Sequence, residues 1–265
     1  MISEAVYCSK KLKKALMVKL KSNEEINLIR ESCKQLAELF EDLKSIIVEG
    51  VTTKEIDDFC FDKITKKGGK PAFLNYDGFP GSACISVNEE VIHGIPSKRK
   101  LKNGDIVGID LGIDLNGYFS DSAKTYAIGK AVPEVLKLIS VTEKALFKGI
   151  EKCIFGNRIK DISAAVFAEA DKNNFGVVRE FCGHGVGFDV HESPQIPNYV
   201  HPGPNPRIKK GMVLAIEPMI NLGTHQVEIL EDEWTVVTAD GQKSAHFEHT
   251  VAIFEDHTEI LTILD

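Results

Sequence analysis

Long apolar runs are missing from this chain of 265 residues. No stretch approaches the roughly 18 consecutive apolar residues that a membrane helix needs. An excess of positive charge is missing too. With 32 Lys and Arg against 39 Asp and Glu the net charge is −7. That balance argues against a general nucleic-acid binder and against any role with DNA. Cysteine is sparse and unpaired. Cys8, Cys33, Cys60, Cys84, Cys153 and Cys182 form no CxxC pair, so a zinc finger has no support and reduced thiols in the cytoplasm are the simplest reading. The opening stretch, MISEAVYCSKKLKKALMVKLK, is basic but lacks the continuous apolar segment of a signal peptide. Residues 1–21 are therefore expected to be a solvated tail, with contact to an acidic partner such as RNA as the alternative. No low-complexity segment or interdomain linker divides the remainder, so 22–265 is expected to be one domain.

What is present is a regular alternation of patterns. Ser22–Glu25 has the form of a capping box, and Ile26, Ile29, Cys33, Leu36, Phe40 and Leu43 follow at helical spacing, ending before Gly50. A second helix, capped by Thr53, runs through Ile56, Phe59, Cys60 and Ile64 to Gly68-Gly69. Loops and short strands follow, among them ACISV at Ala83–Val87. Pro133 opens a third helix and a fourth spans about Lys160–Asn173. The segments VVREFCGHGVGF, MVLAIEPM, WTVVTADG and HTVAIF read as strands. A faint internal repeat underlies this order. Gly50–Ile56 (GVTTKEI) matches Gly156–Ile162 (GNRIKDI), and Lys102–Asp110 (KNGDIVGID) matches Lys209–Glu217 (KKGMVLAIE). The near-constant offset suggests two α/β halves related by approximate twofold symmetry, and it makes Asp110 and Glu217 equivalent strand-end residues.

The stretch IDLGIDLNGYFSDSAKTY, Ile109–Tyr126, reads as a hairpin holding two acids in apolar strands. Asp is depleted in strands and a buried lone carboxylate is costly. Two registers are open, with Leu115-Asn116 or Asn116-Gly117 as the turn, and both put Asp110 and Asp121 on one face. Gly108 and Gly112 share that face and leave room for a ligand. Asp114 has a plain turn role. Close carboxylates need a shared proton or a cation between them. An EF-hand fails, because it would put Gly112 at position one and Ala123 at position twelve. Glu217 ends a strand before Pro218, Glu248 lies in SAHFEHTVAIF, and His184 sits in GHGVG, whose glycines let a ligand approach. Taken singly, each has a plain structural reading. Together, four carboxylates neutralise two divalent cations, and oxygen-rich ligation with one His suits Mn, Fe(II), Co or Zn. Two such ions would make a hydrolytic site.

These five residues, with the segments GSACISVNEEVIHGIP, GYFSDSAKTY, FCGHGVGFDVHESPQIPNY and GMVLAIEPM, resemble the type I, bacterial methionine aminopeptidases over nearly the whole chain from Ser22. Only 25 residues separate His191 from Glu217, where type II enzymes carry an extra helical subdomain. The resemblance implies a pita-bread fold of class α/β (α+β): a pseudo-twofold duplicated half with an antiparallel sheet covered by helices. It implies two metals held by Asp110, Asp121, His184, Glu217 and Glu248, with Asp121 and Glu248 bridging. Glu217 would accept a proton, His93 would lie near the substrate amine, and His191 would bond the scissile carbonyl. The methionine pocket would draw on Phe73, Tyr76, Phe79, Cys84, Phe188 and Trp234. Phe73 and Phe79 depart from the usual Cys and Tyr, and His246 stands where Gln is common, two residues from Glu248. The implied activity is removal of the initiator methionine from nascent chains with a small second residue. The implied protein is a cytoplasmic monomer, with the ribosome as a candidate partner. An Xaa-Pro peptidase of the same fold and a non-catalytic ribosome- or RNA-binding relative are the alternatives.

Overall fold

A computed structural model describes residues 17–264. Residues 1–16, most of the expected tail, lie outside the described residues. The last tail residue, Lys21, is not solvated: its ammonium is buried against Glu192 at 2.7 Å.

Helix α1, Asn23–Leu43, starts as the sequence predicts, with the Ser22 hydroxyl accepting from the Glu25 amide and the Glu25 carboxylate accepting from the Ser22 amide. Helix α2, Thr53–Lys66, is capped one residue earlier than expected. Thr52, not Thr53, has the extended backbone and exchanges both capping bonds with Glu55. Strands β1 (Lys70–Pro71), β2 (Ala83–Val87) and β3 (Glu90–Ile92) lead to the hairpin β4 (Ile106–Leu115) and β5 (Tyr118–Ala127). Its register is now fixed: Leu115 pairs with Tyr118, so Asn116-Gly117 is the turn and both residues have positive φ. Asp114 accepts from the Gly117 amide at 2.7 Å, a turn role as expected.

The second half repeats the first. Helices α3 (Pro133–Ile150) and α4 (Ile159–Asp171) precede β6 (Gly176–Val177), β7 (Cys182–Gly185), β8 (Glu192–Pro197), β9 (Val213–Ile216) and β10 (Met219–Asn221). Then come β11 (Val227–Ile229), β12 (Val236–Thr238), β13 (Ser244–His246), β14 (Glu248–Ile253) and β15 (Thr258–Ile260). VVREFCGHGVGF is thus two short strands separated by Val178–Phe181, not one. The repeat is visible in the hydrogen bonds. Gly50 and Gly156 have φ of 90° and 91°, and their amides donate to Leu101 and Ile208 at 2.8 and 3.0 Å. Thr52 bridges Lys100 as Arg158 bridges Arg207.

The main sheet is antiparallel in the order β1-β4-β5-β14-β9-β7-β8, with β2 also on β4 and β15 on β14. Two three-stranded sheets, β13-β10-β6 and β11-β12-β3, complete the strands. Helices α2, α3 and α4 and the C-terminal half of α1 cover one face, while Ile26, Ile29 and Cys33 of α1 pack on Val213, Ala215 and Ala252 of the other. Val107, Ile109 and Leu111 of β4 pack against Leu36, Phe40, Ile56 and Ile64 of α1 and α2. Leu214 and Ile216 of β9 pack against Leu146, Ile162 and Val166 of α3 and α4. Each fully buried side chain of this size contributes roughly 1.5–3 kcal/mol. Strand alternation then turns Asp110, between Ile109 and Leu111, and Glu217, after Ile216, to the opposite face.

Candidate metal centre

That opposite face collects the five predicted ligands. Directly paired residues share a face, and Asp110 of β4 pairs with Ala123 of β5, which pairs with Glu248 of β14. Asp121 lies two residues from Ala123. On the other edge of β14, His249 pairs with Ile216, so Glu217 follows beside Glu248. His184 of β7 pairs with Ala215, two residues before Glu217. Five adjacent strands thus each present one group. His184 Nε2 lies 3.8 Å from Asp121 Oδ2 and 3.5 Å from Glu217 Oε1. Ligand atoms of Asp121, His184 and Glu248 all lie within 4.8 Å of one another.

The room between these groups has a different origin from the one the sequence suggested. Gly112 does not open the face: a Cβ there would meet the Phe73 ring at 2.9 Å. The short methyl of Ala123, between Asp110 and Glu248, keeps the middle of the site low. The glycines of GHGVG do not admit a ligand either. A Cβ on Gly183 would lie 2.5 Å from the Ala215 carbonyl oxygen, and one on Gly185 would lie 2.4 Å from that of Ser193. They are required by neighbouring backbone, which brings His184 close to β9.

Hydroxyl groups lock the strands in place. Thr250 Oγ1 accepts from the Asp121 amide and donates to its carbonyl, Ser122 donates to the Glu248 carbonyl at 2.8 Å, and Thr125 does the same for His246. Asn198 donates to the Glu217 carbonyl at 3.0 Å. His184 Nδ1 faces the Gly185 carbonyl oxygen at 3.0 Å. A carbonyl only accepts, so Nδ1 carries a proton and Nε2 is the ring nitrogen turned to the acids.

The electrostatics are unfavourable without a cation. Burial, then the nearness of Glu217, raises the Asp110 carboxyl to about 7. Burial does the same for Glu217, also to about 7. Asp121 and Glu248 are pushed well above the usual carboxylate range by burial and by repulsion within the group. One oxygen each of Asp110, Asp121 and Glu248 is buried with no hydrogen-bond donor. Such orphaned acceptors fit a divalent cation, whose charge would offset both burial and repulsion.

Residues 27–255 match the model of metallopeptidase family M24. The chain belongs to that family. It is 53% identical over 247 residues to the methionine aminopeptidase of Treponema pallidum, covering 93% of this chain and 96% of the relative. Methionine aminopeptidase 1 of Bacillus subtilis is 50% identical over 93% of this chain and 99% of its own length. The crystal structure of methionine aminopeptidase from Rickettsia prowazekii superposes with a TM-score of 0.91 at 40% identity, over 93% of this chain and all of that one. The prolidase from Pyrococcus furiosus, at 24% identity and a TM-score of 0.75, shares the fold alone and is matched over 66% of its length. The architecture is the pita-bread fold expected from the sequence.

Phe73, Tyr76, Phe79, Cys84 and Trp234, expected from the resemblance to line a methionine pocket, form one apolar cluster. Phe188 is not among them. Its ring lies under the Lys21 ammonium and 6.2 Å from Tyr118. Val190, two residues on, enters the cluster instead. His191 stands at the rim, its ring 4.4 Å from that of His184 and its Nδ1 3.0 Å from the Tyr76 hydroxyl. His93 has φ of 58° and packs against Phe181 and Trp234. Burial, with His246 nearby, lowers it to about 4, so it is neutral. Gly94 after it is obligatory, since a Cβ would lie 2.3 Å from the Ile85 carbonyl oxygen. His246 Nε2 sits 3.3 Å from Glu217 Oε2 without hydrogen-bond geometry. Sequence reasoning missed Val190, Phe181, Asn198 and the Ser and Thr hydroxyls. These residues gain their roles only from cross-strand register.

Proposed function

We propose that this protein is a methionine aminopeptidase that removes the initiator methionine from nascent chains, preferring a small second residue. The observation that carries the reading is the row of four acids and one imidazole, with donorless buried oxygens, beside an aromatic pocket. Asp110, Asp121, His184, Glu217 and Glu248 would hold two divalent ions, of Co, Mn, Fe(II) or Zn. When bound, such ions would supply Lewis-acid polarisation and make a coordinated water more acidic, bringing its pKa toward neutrality.

The chain's own groups do the rest. Phe73, Phe79, Cys84 and Trp234 enclose the apolar methionine side chain and hold the N-terminal residue in place, so that orientation contributes to the rate. Glu217, at the edge of the ligand row beside His184, takes the proton of the attacking water. His191 presents Nε2 to the scissile carbonyl oxygen while Nδ1 meets Tyr76. Neutral His93 lies against Trp234 at the pocket edge, ready to receive a hydrogen bond from the substrate amine. His246, which burial pushes toward its neutral form, lies beside Glu217 and tunes that acid rather than joining the ligands. Residues 22–265 act as one catalytic domain. We take the protein as cytoplasmic and monomeric, meeting its substrate at the ribosome. Among the described residues no helix is long and apolar enough to cross a membrane.

The test compares Met-Ala-Ser with Ala-Pro peptides on metal-loaded protein. Release of methionine is expected, with activity lost in Glu217→Ala and after chelation. Faster cleavage of Ala-Pro would favour the prolidase alternative. An unchanged rate in Glu217→Ala would overturn the mechanism.

A further inference from the structure

The buried pair of Lys21 and Glu192 has no part in the chemistry above. It is the one Lys or Arg to carboxylate pair among the described residues with both side chains buried, at 1% and 3% exposure. Such pairs contribute little net stability, because desolvation offsets most of the attraction. A pair of this kind invites a specific geometric role.

The geometry around it is a wrapped loop. The Lys21 amide donates to the Gly211 carbonyl at 2.7 Å, which fixes where the chain enters. Its ammonium bonds Glu192 Oε2 at 2.7 Å and lies 5.2 Å from the centre of the Phe188 ring. The other Glu192 oxygen accepts from the Phe188 amide, also at 2.7 Å. A Cβ on Gly187 would lie 3.0 Å from the Lys21 Cε, so the loop also closes on the lysine stem. Residues 187–192 therefore fold around one ammonium. His191 precedes Glu192 in this loop, and Glu192 pairs with Gly185 next to His184.

We infer that Lys21 is a positioning residue for His191, setting the loop that holds the imidazole over the metal centre. This rests on the role proposed for His191. Full-length, metal-loaded protein is assayed on Met-Ala-Ser as wild type, Lys21→Met, His191→Ala and the double variant, with metal content measured in each. Displacing a catalytic group by a fraction of an ångström costs on the order of tenfold in rate. Lys21→Met should thus lower kcat about tenfold with KM within about twofold. In the His191→Ala background the same change should alter kcat by less than about twofold, since residues acting as a unit are non-additive. Lys21→Arg should recover much of the loss. Independently of activity, amide exchange at Phe188 should accelerate at least about tenfold in Lys21→Met, with β4 amides unchanged.

If Lys21→Met does not fold, the neutral pair Lys21→Met/Glu192→Gln replaces it in the same cycle, leaving no buried charge. A full additive loss in the His191→Ala background, or wild-type kcat in Lys21→Met, overturns the inference. Wild-type kcat in His191→Ala overturns the role of His191 itself, so the two failures are distinguishable.

Discussion

Protein freed of divalent cations should lose stability as pH rises from about 4 to about 7. Asp110 moves from an ordinary 3.8 to about 7 and Glu217 from 4.5 to about 7. A carboxyl whose folded value is raised holds its proton more tightly when folded. Its stabilising contribution is complete below the unfolded value and is lost as pH passes through the folded one. At 1.36 kcal/mol per pH unit, Asp110 alone accounts for roughly 4 kcal/mol and Glu217 for roughly 3 kcal/mol. Because the acids repel one another, their protons leave in shared steps and the two figures do not add. One group's share, about 3 kcal/mol, lowers Tm by roughly 10 °C for a chain of this size. Bound cations replace the protons, so the metal-loaded protein should show little of this fall, and the metal's stabilising effect should grow with pH. Thermal unfolding followed by circular dichroism in chelator and in Mn²⁺, at about pH 4, 5, 6 and 7, reads both curves. Asp110→Asn should flatten the metal-free curve. A metal-free Tm that is constant or rises across this range would refute the electrostatic account of the site.

Three further outcomes follow from packing. Gly185→Ala forces a Cβ to 2.4 Å from the Ser193 carbonyl oxygen, so it should cost roughly 2–4 kcal/mol in urea unfolding and weaken metal binding through His184. Asp57, buried in α2, accepts from the Ser82 and Ala83 amides at 2.7 and 3.0 Å; Asp57→Ala should cost about 2–4 kcal/mol, with Asp57→Asn between it and wild type by the same assay. Phe73→Ala vacates the wall above Gly112 and should raise KM for Met-Ala-Ser several-fold while leaving metal content unchanged, as read by steady-state kinetics and metal analysis.

Much of this protein is legible in its residues. Capping boxes, helical spacing and turn residues act over a few residues, so α1 and the hairpin follow from local chemistry, while the choice between its two registers came from the structure. The duplicated half is legible as well, because Gly50 and Gly156 need the same left-handed backbone at matching places. That duplication, with strand alternation, suffices to put Asp110 and Glu217 at equivalent positions, but the expected strand end holds only for Glu217, just past β9, while Asp110 lies in the middle of β4.

Other features depended on tertiary contacts. The order β4-β5-β14-β9-β7, which brings one ligand from each of five strands to one face, depends on pairing β5 with β14, residues more than a hundred apart, and no local pattern encodes such a pairing. The same register decided that the GHGVG glycines serve neighbouring strands rather than a ligand, and that Ala123 rather than Gly112 leaves the site low. It also took Phe188 out of the pocket and Lys21 out of the solvent. A lysine next to a basic stretch carries no sign of burial in its own sequence. Its burial exists only because Glu192, 171 positions away, lies where the chain entering α1 meets the loop of His191.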